Sequence, residues 1–395
     1  MSIARRIRIQ LARVAIPALS LVTAFAIGAL LILLTDFDHL SKVGSDPGGA
    51  IGGALDVVLR GYGAMFTGAF GNPGQIVAAL QSGSERDIAK AIRPITEALL
   101  FTTPIIFTTL GLGLALHARL FNFGASGQAG MGAFGAIFVA SVLTGALPPW
   151  LVLVLALAGG ALFGAAYGFL PGLLKARTGA HEVITTLMLN TIAFQVLIYV
   201  GRAGIVPFQS SLPSVPRLFD IATIRLDWGF FAALGVAALT SFVLFRTTLG
   251  FELRAAGFSA SASRSAGMRP QRVTILALSL SGGLIGLGAA FLSLGPAGGR
   301  ADGYGGLTPL ALALIAGLRP SRIVLVCLLY GLLNAGAKTM VIETGTPLDM
   351  LDVVIALVLM LVAAPNIIRT LWRLKPPPVS DDPATFRPHA DVSPL

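Results

Sequence analysis

From residue 14 to residue 370 the chain alternates between apolar runs of about 18 to 25 residues and short polar breaks. A helix of that length crosses a hydrocarbon core of about 30 Å. The pattern predicts spans over residues 14–34, 94–116, 127–147, 150–174, 183–201, 228–245, 273–294, 306–318, 321–341 and 350–370, the eighth being short for a full crossing. Residues 35–90 break the rhythm. DPGG and GNPGQ are turn sequences, and GGALDVVLRGYGAMFTGAF between them is too rich in glycine and too short in pure apolar length to span. It reads as an interfacial or external helix. The expected fold class is therefore all-α, a polytopic helical membrane protein with about ten transmembrane helices.

Two glycine patterns refine this. Gly160, Gly164, Gly168 and Gly172 recur every four residues and draw a smooth stripe down one face of the fourth span. Such a stripe brings helix backbones together in lipid, or lines a path. The sequence GPAGGRADGYGGLTP at 295–309 joins a full span to the short one. Irregular backbone of this kind fits either an external loop or a half-helix bordering a cavity.

Composition agrees with the pattern: 55% of residues are hydrophobic and 12% charged, with a mean hydropathy of +0.83. A soluble domain carries about twice that charged fraction. The net charge of +10 does not point to nucleic acid, because the basic residues flank apolar spans one or two at a time. That distribution sets orientation in a bilayer. With the N-terminus inside, segments 1–13, 117–126, 175–182, 246–272, 319–322 and 369–395 face the cytoplasm and hold 18 of the 28 Lys and Arg. The expected layout is N-in and C-in. A cytoplasmic segment 1–13 precedes a membrane domain at 14–370, which carries an external segment at 35–90 and a cytoplasmic loop at 246–272. A Pro-rich, disordered cytoplasmic tail follows at 371–395.

Enzyme chemistry finds little purchase. The single cysteine, Cys327, offers no disulfide, and the four histidines are scattered. HEVIT at 181 has Thr185 where the zinc motif H-E-x-x-H needs its second histidine, so no metal site is expected. GLLNAGAKT at 331–339 approaches a phosphate loop, but an alanine precedes Lys338 and no strand leads into it. His117 with Asn122, and His181 with Glu182, fit helix ends better than catalysis. The polar residues inside or beside spans are more informative. Asn122, Gln128, Asn190, Gln195 and Asn334 must face the bundle interior rather than lipid, either bonding other helices or lining a path for a neutral polar solute.

The loop at 250–272, GFELRAAGFSASASRSAGMRPQR, is a basic island between apolar runs. Ser259 is placed to cap a short helix over 260–266, Gly267 to end it, and Pro270 to prevent its continuation. A stiff capped helix on an inner loop suggests a docking surface.

Three stretches in order carry a resemblance: LFNFGASGQAGMGAFGA at 120–136, HEVITTLMLNTIA at 181–193 and GFELRAAGFSASASRSAGM at 250–268. They resemble the permeases of ABC transporters of the branched-chain amino acid, ribose and nucleoside superfamily. The nucleoside and simple-sugar branch, which works with basic-membrane-protein-type binding lipoproteins, is the most similar. The chain departs from it at Ser126, where that branch has Glu, and at Phe123, where it has Ile. The resemblance implies a transport subunit, not an enzyme, in a bacterial cytoplasmic (inner) membrane. It implies that Gly250, Glu252, Arg254, Gly257, Ser259, Ala262, Arg264, Ala266 and Gly267 dock on a separate ATPase subunit, which holds ATP and magnesium while this chain holds no cofactor. It also implies a second permease subunit, a periplasmic or lipid-anchored binding protein, and a nucleoside or related neutral sugar-like solute. Ribose or branched-chain amino acids are the alternative cargo within that superfamily. An ion-coupled carrier, the competing class, would need inverted repeats and buried ionisable groups.

Overall fold

Prolines start the helices and glycines end them. Pro47, Pro73, Pro149, Pro270, Pro320 and Pro365 each open a helix in its first turn, where the missing N–H has no intrahelical partner to lose. Gly83, Gly179 and Gly345 close helices in the left-handed conformation.

The computed structural model describes residues 3–35, 41, 44–204, 212–218, 224–296 and 307–373. Among them the helices are α1 (Ile3–Thr35), α2 (Pro47–Phe70), α3 (Pro73–Ser82), α4 (Glu85–His117), α5 (Ala125–Leu143), α6 (Pro149–Thr178), α7 (Glu182–Arg202), α8 (Gly229–Arg246), α9 (Thr248–Phe258), α10 (Ala260–Ser265), α11 (Pro270–Ser293), α12 (Leu307–Ile315), α13 (Pro320–Thr344), α14 (Leu348–Ala363) and α15 (Pro365–Leu371). Among the described residues there are no strands, only isolated bridges at Thr144–Leu147 and Arg217–Asp227. The all-α membrane architecture is as the apolar pattern predicts.

Among the described residues eight helices are long and apolar enough to cross a membrane: α1, α4, α5, α6, α7, α8, α11 and α13. The other two expected spans take different forms. Residues 306–318 yield the nine-residue α12, about 13 Å long. The run at 350–370 is divided, because Pro365 has no N–H for the carbonyl one turn back, and the helix stops at Ala363 before restarting as α15. The first helix also begins at Ile3, ahead of its apolar run. The glycine-rich segment after α11 falls mostly on 297–306, and the tail on 374–395, both outside the described residues.

α4 is the axis of the bundle, with every residue from Thr102 to Leu116 buried. α7 is the opposite case, presenting Ile184, Met188, Ile192, Phe194 and Tyr199 outward. The glycine stripe of α6 settles its two readings in favour of close packing. A Cβ on Gly164 would overlap the Gly282 carbonyl of α11, and one on Gly168 the Leu278 carbonyl. Gly132 of α5 meets Gly286 of α11 in the same way. The three helices touch backbone to backbone.

The segment expected to be interfacial, residues 52–70, belongs to the 24-residue α2. Small residues let it lie against α13: Gly61 touches Met340, Gly68 touches Thr339, and Gly336 accepts Met65. These contacts lie at the C-terminal end of α13. Its N-terminal end borders the basic loop, since Leu318 reaches His117 and Gly257 abuts the backbone of Ala118. The bundle thus has a loop end and a far end. At the far end residues 212–218 and 224–228 lie over the end of α11, with Val215 N–H donating to Leu294 O (2.7 Å) and Leu218 N–H to Leu226 O (2.8 Å).

Candidate functional site

At the loop end, Thr247 caps α9 by accepting from Gly250 N–H (3.3 Å). Ser259 Oγ accepts from Ala262 N–H (3.2 Å) and starts α10. Gly267 adopts φ 81°, and Met268 N–H closes the turn on Ser263 O (3.0 Å). The expected cap and stop are both present, while α9 before them had no signal strong enough to separate it from the loop.

The structure divides the nine loop residues. Gly250 and Gly257 face inward: a Cβ on Gly250 would overlap the Val243 and Leu244 carbonyls, and one on Gly257 would lie 2.8 Å from Ala118 C. Arg254 Nε donates to Gly250 O (3.2 Å) and its guanidinium lies 5.2 Å from the Phe245 ring centroid. Glu252 is partly buried. Ser259 serves as the cap. Ala262, Arg264, Ala266 and Gly267 are exposed, beside Phe258, which is 76% exposed. The outward face is thus small and basic with one aromatic, and the inner four residues hold it in place.

Asn122, Gln128 and Asn190 take the first of their two readings and bond within the bundle. Asn122 and Gln128 are each 1% exposed and bond to one another twice, at 2.8 and 3.1 Å. Asn122 Nδ2 also donates to Ser281 Oγ of α11 (2.9 Å), and its Oδ1 accepts from Gly124 N–H (3.0 Å). Asn190, reaching from α7, accepts from Gly127 N–H (2.8 Å) and donates to Phe123 O (2.8 Å). Thr186 accepts from Phe123 N–H (3.2 Å). The N-terminal donors of α5 are therefore capped from another helix, which explains the spacing of NFGASGQ and the Asn of HEVITTLMLN. Ser126 is exposed in the first turn of α5. Gln195 lies on the exposed face of α7.

Asn334 borders a cavity. This cavity, of about 780 Å³, opens at the far end between α2, α4, α11 and α13. Asn334 lies one helical turn beyond Tyr330, and Tyr330 leans on Phe101 with ring centroids 6.2 Å apart. Lys338 Nζ stands 4.8 Å from the Phe101 ring centroid. Glu97 is gripped bidentately by Arg225, Nε to Oε1 at 2.9 Å and Nη2 to Oε2 at 2.7 Å, with Arg93 at 3.8 Å. A fork of this kind fixes both groups in direction. Sequence reasoning passed over Arg93, Glu97 and Arg225. The signal was present, since Glu97 and Lys338 fall inside predicted spans, where a charge marks a functional position.

A small recess continues from the cavity past Leu100 and Leu292 to Asp227. Asp227 is 3% exposed and accepts from Gly229 N–H (2.8 Å). Burial pushes its carboxyl up from 3.8 to about 6, because desolvation penalises the charged form.

Residues 95–363, which include the basic loop, the capping amides and most of the cavity wall, match the family model of the permease component of the branched-chain amino acid transport system. The chain belongs to this permease family. The permease is 31% identical over 376 residues to the guanosine ABC transporter permease protein NupP of Bacillus subtilis, covering 91% of this chain and 96% of that one. It is 30% identical over 298 residues to the nucleoside ABC transporter permease protein NupB of Lactococcus lactis subsp. cremoris, covering 71% and 81%. A second Bacillus subtilis protein, the guanosine ABC transporter permease protein NupQ, is 28% identical over 216 residues, covering 51% and 67%. As a multi-pass transport component, the permease is not an enzyme.

Proposed function

We propose that this chain is the membrane-spanning subunit of an ABC importer for nucleosides, with solute entering at the far-end cavity and a separate ATPase docking on the loop end. The observation that carries this reading is likeness along 91% of the chain to a guanosine permease protein. The cavity supports it, offering an aromatic face, an amide and hydrogen-bonding charges to a polar ring-bearing solute. In this reading ATP and magnesium belong to the ATPase, and this chain holds neither. The loop end faces the cytoplasm of a bacterial inner membrane and the far end receives a binding protein. NupP and NupQ, two guanosine permease proteins of one organism that both resemble this chain, favour a second, non-identical permease as partner.

The test isolates the complex from native membranes through a tag on this chain and reconstitutes it in liposomes. Labelled nucleoside uptake should require ATP together with the ATPase subunit. Uptake driven by an ion gradient with the ATPase removed would overturn the importer reading in favour of a secondary carrier.

A further inference from the structure

The far-end cavity is unbalanced in two respects. Arg93, Arg225 and Lys338 stand against one carboxylate, Glu97. Its hydrogen-bonding groups are also mostly donors. Both Glu97 oxygens accept from Arg225, which takes about two of the four acceptor sites of the carboxylate and holds it turned toward the guanidinium. Asp227 is withdrawn into the side recess and bonded to Gly229. Lys338 has three N–H donors and no accepting capacity. Among the described residues its ammonium is placed only against the Phe101 ring face, which satisfies its charge in part but takes none of its directional bonds. Arg225 likewise keeps donors beyond the two on Glu97.

A solute entering this space therefore meets unpaired donors on Lys338 and Arg225, and opposite them it gains by bringing acceptors. Nucleobases divide on this point. Guanine and the pyrimidine-4-oxo bases present a ring carbonyl, whereas adenine and cytosine present an exocyclic amino group in the equivalent position. A carbonyl opposite Lys338 gains a charge-assisted bond. An amino group there sets donor against donor and leaves both unpaired. We propose that this cavity is a selectivity site favouring oxo-bearing nucleosides over amino-bearing ones, with Lys338 as the specificity-determining residue and Phe101 as the surface that presents it. The proposal rests on the nucleoside-importer reading and adds to it which nucleosides, and through which side chain.

Inosine and adenosine are the probes, since they share ribose and ring system and differ at the C6 substituent with its adjoining ring proton. ATP-driven uptake of each is measured in the reconstituted complex, and the ratio is divided by the binding protein's own affinity ratio, measured separately. The corrected ratio should favour inosine about tenfold, the effect of one well-placed bond against one unpaired donor. Lys338→Met should bring it close to one, and Lys338→Arg should keep most of it. Lys338 is exposed, so these replacements do not disturb the packed interior. A corrected wild-type ratio near one, or a ratio that Lys338→Met leaves unmoved, overturns the proposal while leaving the importer reading intact. Failure of both nucleosides to enter overturns the importer reading and this proposal with it.

Discussion

Replacing Gly164 with alanine adds one methyl group at a seam where two helices meet backbone to backbone. Its Cβ would lie 2.8 Å from Gly286 Cα and 3.0 Å from Gly286 N, and would overlap the Gly282 carbonyl oxygen. All three neighbours are backbone, so no side chain can rotate away. Restoring ordinary contact requires α6 and α11 to separate by about 1 Å locally, a gap that forfeits up to half of each dispersion contact nearby. Overpacking of this kind costs about 1–3 kcal/mol, and the fixed backbone on both sides places this case at the upper end. Gly235→Ala is the matched control, because nothing lies within 4 Å of its Cβ position on α8. Both replacements gain the same helix propensity of up to about 1 kcal/mol. The difference between them isolates the clash. With an unfolding entropy of about 2.1 cal/mol/K per residue over the chain, a 2–3 kcal/mol loss lowers Tm by about 3 °C. Thermal unfolding of the purified permease in nanodiscs, followed by tryptophan fluorescence, reads the effect. Equal midpoints for the Gly164→Ala and Gly235→Ala proteins would refute the backbone-contact account of the stripe.

Ala262→Asp places a carboxylate on the exposed face of α10, where folding tolerates it but burial in a partner's groove costs several kcal/mol. Co-purification of the ATPase should fall while expression stays normal, and undiminished capture would make the loop a topological anchor only. Asp227 holds its proton up to about pH 6 in the folded protein, against 3.8 ordinarily. Its contribution to stability is therefore fully present below about 3.8 and lost as pH rises through 6. Asp227→Asn keeps the oxygen that accepts from Gly229, so it should flatten this dependence and raise stability at pH 7 by up to roughly 3 kcal/mol. Unfolding midpoints between pH 4.5 and 8 check it, and parallel curves for the two proteins would count against it. His117 Nε2 donates to Leu318 O (3.0 Å), so His117→Leu, which leaves that carbonyl unpaired, should cost about 1–3 kcal/mol. His117→Gln, able to donate again, should recover most of it in the same unfolding assay.

What could be read in advance was local. Ser259, Gly267 and Pro270 act through their own backbone, so α10 and its ends were legible residue by residue. The stripe from Gly160 to Gly172 was legible as a face but not as a contact, because its partner, Gly282 and Gly286, lies over a hundred residues away. The amides were legible as bonding groups, but which partners they bond was not, for the same reason. Asn122, Gln128 and Asn190 look alike whether they face a pore or an unpaired N–H, and only the fold brings Asn190 to Gly127. The cavity was least legible, since Glu97 finds Arg225 across a chain separation that no periodicity encodes. α2 was legible as a helix outside the candidate spans, but not that Gly61 and Gly68 are places for α13 to approach.

The seam among α5, α6 and α11 also limits how the molecule can move. Where helices meet through side chains, those side chains can change rotamer as one helix slides on another. Where Gly132, Gly164 and Gly168 bring carbonyls and Cα atoms into direct contact, a small slide meets a wall. These three helices travel as one rigid body, with the amide knot from Asn122 to Ser281 riding inside it. Any rearrangement that opens or shuts the far-end cavity must then be carried by the parts outside that body. The nine-residue α12 and the outer end of α13 are among those parts, and the loop end touches their connection at Leu318.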